Sequence, residues 1–518
     1  MSVGVSKHEH VLPYFLGLIE NLRYPKDRIR VSFYLTKNPP EPEDQAEVLI
    51  KKWVQEVTKH YLSVSLELTS SDQNWKETAL QWSRRKSCSH AFITTADHFL
   101  MENSLRKLIA LDKVVVSPLL NAPFGNYSNV HGVLDDDYVY RVEMESIRIY
   151  FLYGPYLINL KHKDASYLTF DSDNLRNYNG RQDPIYIFAF SAYSMQIPIF
   201  VDNKFFYGYF LDSTYYSHNY HKKLLSYFLS NLVSEFGTIS FPHSSYIEPS
   251  YPPPSRFGFD KIYLINLKRR PERLRRMELV FKLLGIDYTL FEAVDGKHLA
   301  PEELEEIEFM PGYQDPYYKR PMKKGEIGCF LSHYRIWEDV VKNSYSRVIV
   351  FEDDVRFMEN STIELNEMVE DLMKMRTEWD FIYLGRKKMS PHGDEFFEPG
   401  HRYLSTVGYS YWTLGYALSL NGASKLIHAD PLSRLLAIDE FLPIMYDKHP
   451  NKEWASYFPS RNLLAYAVYP VVVVPERYTH QPGYVSDTED SFVFEETFDR
   501  GENEKETISS TLHYKDEF

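Results

Sequence analysis

The sequence is poor in cysteine, with only Cys88 and Cys329 in 518 residues. Two thiols so far apart support neither a disulfide framework nor a zinc module, and both are expected to be free thiols in apolar surroundings. Long apolar runs are missing as well. No stretch reaches the ~20 residues a membrane-spanning helix needs, and Met1 to Pro13 lacks the apolar segment of a secretory signal peptide. Positive charge is in deficit, since 58 Lys and Arg stand against 72 Asp and Glu, a net charge of −14. Nucleic-acid phosphates would be repelled, which argues against such a partner. Aromatics are abundant, with 41 tyrosines and 33 phenylalanines; they suit stacking on sugars and peptides, although most such rings fill cores and interfaces.

The length implies two or more domains. Pattern breaks at Ser240 to Ser255, where Pro242, Pro249, Pro252, Pro253 and Pro254 alternate with serines and sustain neither a helix nor a central strand. The sequence therefore divides into a first domain (1–239), a linker (240–256), a second domain (257–485) and an acidic, polar tail (486–518). In the first domain, strands are expected at Val31 to Leu35, His90 to Thr94 and Lys113 to Val116, with an amphipathic helix at Gln45 to Val57. In the second, strands alternate with helices through Val474, as in a nucleotide-binding sheet with covering helices.

The richest stretch is Val348-Ile349-Val350-Phe351-Glu352-Asp353-Asp354, an apolar strand that ends in three carboxylates. In open α/β sheets ligands bind just beyond the carboxyl ends of strands, and adjacent carboxylates there call for a hard divalent cation. Alternation places Glu352 and Asp354 on one side and Asp353 on the other. A solvated acidic turn explains the triplet alone equally well. Two neighbours favour the site. A helix opened by Gly325 would put Glu326, Cys329, His333 and Trp337 on one face. A strand within Phe259 to Leu267 leads into Lys268, Arg269, Arg270 and Arg273, cations suited to a diphosphate. The pair Cys329 and His333 resembles half of a metal site, but the sequence offers no second pair.

With these residues assembled, the chain resembles glycosyltransferase family 25, in its animal procollagen-galactosyltransferase branch. The matching pieces are INLKRRPERLRRM (Ile265 to Met277), EAVDGK (Glu292 to Lys297), PGYQDPYYKRPMKKGEIGCFLSHYRIW (Pro311 to Trp337), VFEDDVRF (Val350 to Phe357), DFIYLGRKKM (Asp380 to Met389), YSYWTLGYALSLNGASKL (Tyr409 to Leu426) and DEFLPIMYDKHP (Asp439 to Pro450). The resemblance is strong from Phe257 to Asp487 and weaker from Lys7 to Tyr209.

The resemblance implies two tandem α/β domains of the glycosyltransferase A-type fold, with catalysis in the second. The implied reaction moves galactose from UDP-galactose to hydroxylysine of collagen-like polypeptides, with Mn²⁺ and inversion at the sugar carbon. Glu352, Asp353 and Asp354 would hold the metal. Asn266 and Arg270 would face the nucleotide, and Lys324, Glu326, Ser332 and His333 would line the donor pocket. The base is expected at Asp439 or Glu440, between which spacing does not choose; capping a helix is a rival role for Asp439. In the first domain the family's strand-end Asp-x-Asp is Thr95-Ala96-Asp97, so that domain reads as degenerate. A catalytically silent lumenal or adhesion paralogue is the competing reading. A two-carboxylate glycoside hydrolase leaves the basic residues near Asn266 unexplained.

The terminal Lys515-Asp516-Glu517-Phe518 resembles an endoplasmic-reticulum retrieval signal, which implies a retrieval receptor as a partner. Asn126 and Asn360 stand in glycosylation sequons. Retrieval requires entry, and the resemblance implies a signal peptide and a strand ahead of His10-Val11-Leu12-Pro13. The true start is therefore expected to be absent together with the first strand of the first sheet, whose loss would leave an unpaired edge. The alternative is a cytosolic protein whose tail is accidental. The resemblance also admits a homodimer.

Overall fold

The computed structural model describes residues 1–6, 8–37, 45–70, 74–122, 128–131, 145–211, 218–305, 307–389 and 395–476. Asn126, the tail from Ser486 and Lys515, Asp516, Glu517 and Phe518 lie outside the described residues. Two compact units emerge. Among the described residues one spans Met1–Phe228 with Ile239–Ser250, and the other Leu229–Thr238 with Tyr251–Glu476.

The first unit is built on an eight-stranded sheet. Its strands are β1 (Ser2–Val5), β2 (Arg30–Lys37), β3 (Ser63–Ser70), β4 (His90–Thr95), β5 (Val115–Pro118), β6 (Ser146–Ile149), β7 (Tyr156–Asn159) and β8 (Ile199–Asp202). They lie in the order β3-β2-β1-β4-β7-β5-β8-β6. The helix Gln45–Val57 buries Ala46, Ile50, Trp53 and Val57, the spacing of one helical face.

Residues Ser2–Val5 form a strand of this sheet, buried at every position. It pairs parallel with both β2 and β4, Val3 facing Phe33 on one side and Thr94 on the other. Four residues were too short and too small to announce a strand by periodicity, and burial between two neighbours supplied what periodicity did not.

Ile239–Ser250 is irregular, as its prolines dictate, yet it is packed. Phe241 and Ile247 are buried, the Ser244 amide donates to the Pro13 carbonyl at 2.6 Å, and the Ser245 amide donates to Glu20 at 2.9 Å.

The second unit holds a seven-stranded sheet. Its strands are β9 (Lys261–Asn266), β10 (Thr289–Glu292), β11 (Arg347–Glu352), β12 (Phe381–Tyr383), β13 (Leu404–Thr406), β14 (Gly415–Ser419) and β15 (Ala465–Val468). Their order is β10-β9-β11-β14-β12-β15-β13. Strand β11 runs parallel to β9 and antiparallel to β14. The register sets Glu352 beside Ile265, so the acidic triplet and the turn after Asn266 emerge at the same sheet edge.

A core of large side chains fixes this edge. Val348, Val350, Phe330, Trp337, Tyr416 and Phe441 are fully buried together. Burial of that size stabilises each large side chain by about 1.5–3 kcal/mol. The helix Lys324–Asn343 contributes Phe330 and Trp337 to this core and directs His333 toward Glu352. The loop Ala293–Gly296 lies against this helix because two positions carry no side chain. A Cβ on Gly296 would stand 1.6 Å from the Lys324 carbonyl oxygen, and one on Gly328 would stand 2.5 Å from that of Val294.

Candidate active site

The sheet edge opens into a cleft lined by both charged and apolar side chains. Arg269, Arg270, Arg273 and Lys297 line it together with Glu352, Asp354, Ser332 and His333, and Arg273 lies against the acidic triplet itself. Strand β9 ends at Asn266, and the helix Pro271–Leu284 begins after Arg270 because Pro271 suits a first helical turn. That short turn is what brings three arginines to the strand end.

The three carboxylates have different surroundings. Asp353 is buried: Asn266 Nδ2 donates to one oxygen at 2.6 Å and Arg273 to the other at 3.0 Å. Glu352 accepts from Thr413 Oγ1 at 2.6 Å and lies 3.3 Å from His333 Nε2. These contacts, with Arg273, keep Glu352 below the usual carboxylate value despite burial. Asp354 has the weaker support of Arg273 at 3.6 Å, with about a third of its side chain exposed, 34%. Burial, then the charges of Glu352 and Asp353, push its pKa up to about 8.

Negative charge in excess of its partners is what a cation site requires, so these residues fit a divalent metal. Glu352 and Asp354 would hold it. Cys329, His333 and Glu352 also converge, with ligand atoms within 4.8 Å of one another. Burial and the nearby carboxylates hold the Cys329 thiol well above its ordinary value, which leaves it a poor thiolate ligand.

Removing the buried partner of a buried guanidinium leaves that charge uncompensated. Asp353→Ala is therefore expected to destabilise the second unit by about 3–5 kcal/mol. Urea unfolding checks this, and a loss below about 1 kcal/mol would contradict the pairing with Arg273.

The two other predicted carboxylates sit at the start of the helix Ile438–Met445. Glu440 is 2% exposed. It accepts from Tyr409 Oη at 2.9 Å, from Tyr411 Oη, and pairs with His449 Nε2 at 2.6 Å. Asp439 accepts a single backbone bond, from the Trp412 amide at 3.1 Å. Trp412 has φ +79°, a left-handed conformation costly for a tryptophan. Burial, Glu352 and Glu440 push Asp439 up to about 8. The strap Tyr409–Thr413 thus links Glu440, Asp439 and Glu352 in sequence.

The predicted donor residues divide. Arg270, Ser332 and His333 line the cleft; Asn266, Lys324 and Glu326 do not. Asn266 is buried and holds Asp353 and the Arg270 carbonyl. Ser332 Oγ accepts from the Val294 amide at 2.9 Å and so fastens the loop wall. Lys324 is exposed at the first turn of its helix. Glu326 forms a two-pronged ion pair with Arg320, both contacts at 3.0 Å, and caps that helix through the Lys323 amide at 2.6 Å. Thr413, Tyr409, Tyr411 and His449 escaped notice in the sequence. Hydroxyl and imidazole side chains carry no spacing signal, and the strap reaches the site only through the sheet. Asn360 is half-buried at the start of the helix Ser361–Met375.

The corresponding edge of the first unit is different. Asp97 is buried, accepts from Thr95 Oγ1 and lies 3.8 Å from His8 Nε2. Asp97→Ala is expected to cost about 1–3 kcal/mol of stability through the lost hydrogen bond, with the turnover number of any transfer unchanged. A folded variant as inactive as one altered at Asp354 would contradict this.

Comparison with known proteins bears on the whole chain. The glycosyltransferase family 25 (LPS biosynthesis protein) model matches residues 259–442. The model of the glycosyltransferase family 25 N-terminal domain matches residues 1–77 and 70–224. A glycosyltransferase 25 family member of Aedes aegypti is 37% identical over 94% of this chain and 85% of its own length. The chain belongs to glycosyltransferase family 25. Each of its two units carries an α/β sheet, as expected from the sequence. Procollagen galactosyltransferase 2 of Mus musculus is 34% identical over 94% of this chain and 82% of its own, and that of Homo sapiens is 33% identical over the same shares. No helix among the described residues is long and apolar enough to cross a membrane.

Proposed function

We propose that the second unit transfers galactose from UDP-galactose to hydroxylysine of collagen-like polypeptides, with inversion and with Mn²⁺ as the cation. The observation that carries this reading is the cleft itself, lined by four cationic side chains together with Glu352 and Asp354. Arg269, Arg270, Arg273 and Lys297 are placed to meet a diphosphate. A cation held by Glu352 and Asp354 would offset the charge that develops on the leaving diphosphate. Asp439 is the base in this reading. Glu440 is fully engaged by two tyrosines and His449, whereas Asp439 keeps oxygen capacity for the acceptor hydroxyl. Its carboxylate takes the hydroxyl proton as the acceptor oxygen attacks the sugar carbon opposite the departing phosphate.

The names of the mouse and human relatives support the acceptor and the sugar. The test is the purified chain with Mn²⁺, a panel of nucleotide sugars and hydroxylysine peptides, read by mass spectrometry. Galactosyl-hydroxylysine is expected. Failure with every donor by folded protein would instead assign the chain to the silent paralogues. Residence in the endoplasmic-reticulum lumen is proposed from Lys515 to Phe518. In a fusion with a signal peptide, deleting those residues should release protein into the medium, and unchanged retention would refute it.

A further inference from the structure

Beyond Asp439 the site continues onto an exposed aromatic turn. Tyr317 is 60% exposed and Tyr318 43%, an unusual display for two adjacent rings beside a reaction centre. Tyr317 lies edge-on to Tyr411, ring centres 6.2 Å apart, and the Tyr411 hydroxyl donates to Glu440, the neighbour of Asp439. The turn is held rigid. Asp315 accepts from the amides of Tyr317 at 2.9 Å and Tyr318 at 2.7 Å, and the Asp315 amide donates to the Arg320 carbonyl at 2.8 Å. Arg320 then ties the turn to Glu326 on the helix Lys324–Asn343. Its guanidinium also stands 5.8 Å from the Tyr318 ring centre.

The site has a direction. Cations and Glu352 line one cleft, and from Glu352 the strap leads through Thr413, Trp412 and Tyr411 to Tyr317. A displacement with inversion needs the acceptor to arrive from the side away from the diphosphate. Rigid exposed aromatic rings bind extended, proline-rich segments well, because both partners lose little freedom on contact. The carboxylates of Asp439 and Glu440 receive hydrogen bonds from an amide and two hydroxyls. The Asp439 oxygen left without a partner among the described residues can accept from the ammonium group that a hydroxylysine carries one carbon from its hydroxyl.

We propose that the Tyr317–Tyr318 turn is the acceptor platform, occupied by a single extended Gly- and Pro-rich strand whose hydroxylysine side chain reaches past Tyr411 to Asp439. This rests on the reading of the second unit as a hydroxylysine transferase, and its test separates the two. The full chain is titrated, without donor, against a fluorescent Gly-Pro-rich hydroxylysine peptide, and Kd is read by anisotropy. Tyr317→Ala and Tyr318→Ala are expected to weaken binding about tenfold each, the loss of one stacked contact. Tyr317→Phe restores it, because the ring and not the hydroxyl makes the contact. UDP affinity in the presence of Mn²⁺, measured by calorimetry, is the control for the donor side and should not move. In steady state the defect should fall on the peptide KM, not on kcat. Peptide binding that is absent in the wild type, or equal in Tyr317→Ala, overturns the platform. Normal peptide binding with no transfer by the wild type overturns the transferase reading and leaves the platform standing.

Discussion

Asp354→Asn is expected to reduce metal-dependent transfer about 10³-fold, close to 4 kcal/mol of transition-state stabilisation, while the protein unfolds at an unchanged or higher urea concentration. Asp354 is pressed up to about 8 by burial, Glu352 and Asp353, so neutralising it relieves repulsion in the cation-free fold. The same change removes a charged oxygen ligand, and hard divalent ions depend on such ligands. Addition of Mn²⁺ should therefore raise the melting temperature of the wild type and barely move that of Asp354→Asn. Steady-state transfer by the variant at the wild-type rate, with Mn²⁺ present, would refute the assignment of the cation to this strand end.

Asp439→Asn is expected to lower kcat by 10²- to 10⁴-fold, the usual contribution of a positioned base. Its pH dependence gives a second signature. A base acts when ionised, and Asp439 is held up to about 8 by burial, Glu352 and Glu440. In the free enzyme kcat/KM should accordingly climb as pH rises toward 8 and level off above it, and Asp439→Asn should lose that ascending limb. Glu440→Gln should lose far less and keep the limb, because Gln keeps one oxygen for Tyr409 and His449, turns an amide donor to the Tyr411 hydroxyl, and sits behind the reacting group. A loss in Glu440→Gln as deep as that in Asp439→Asn, in protein shown by circular dichroism to be folded, would exchange their roles.

The strand that ends in the acidic triplet was legible because four consecutive apolar residues, Val348 to Phe351, all β-branched or aromatic and bounded by charge, read as a short buried strand. The helix Gln45–Val57 was legible to the residue through its apolar spacing. Strand β1 was not, since Ser2–Val5 has no alternation and acquires its place from β2 and β4. The cluster about Glu440 was equally hidden. Tyr409, Tyr411 and His449 come from different segments, and packing alone brings them to one carboxylate.

Residue order by itself determined that one apolar strand ends in carboxylates and another in arginines, because apolar runs and the charges that end them are local properties. It also carried the family, whose motifs extend across the second unit. Tertiary structure decided the division of labour among like groups. Asp353 turned inward to Asn266 and Arg273, Glu326 turned to Arg320, and Glu440 was enclosed by tyrosines. Identical carboxylates differ in role only through their partners and their access to water, and both are fixed by contacts between segments distant in sequence.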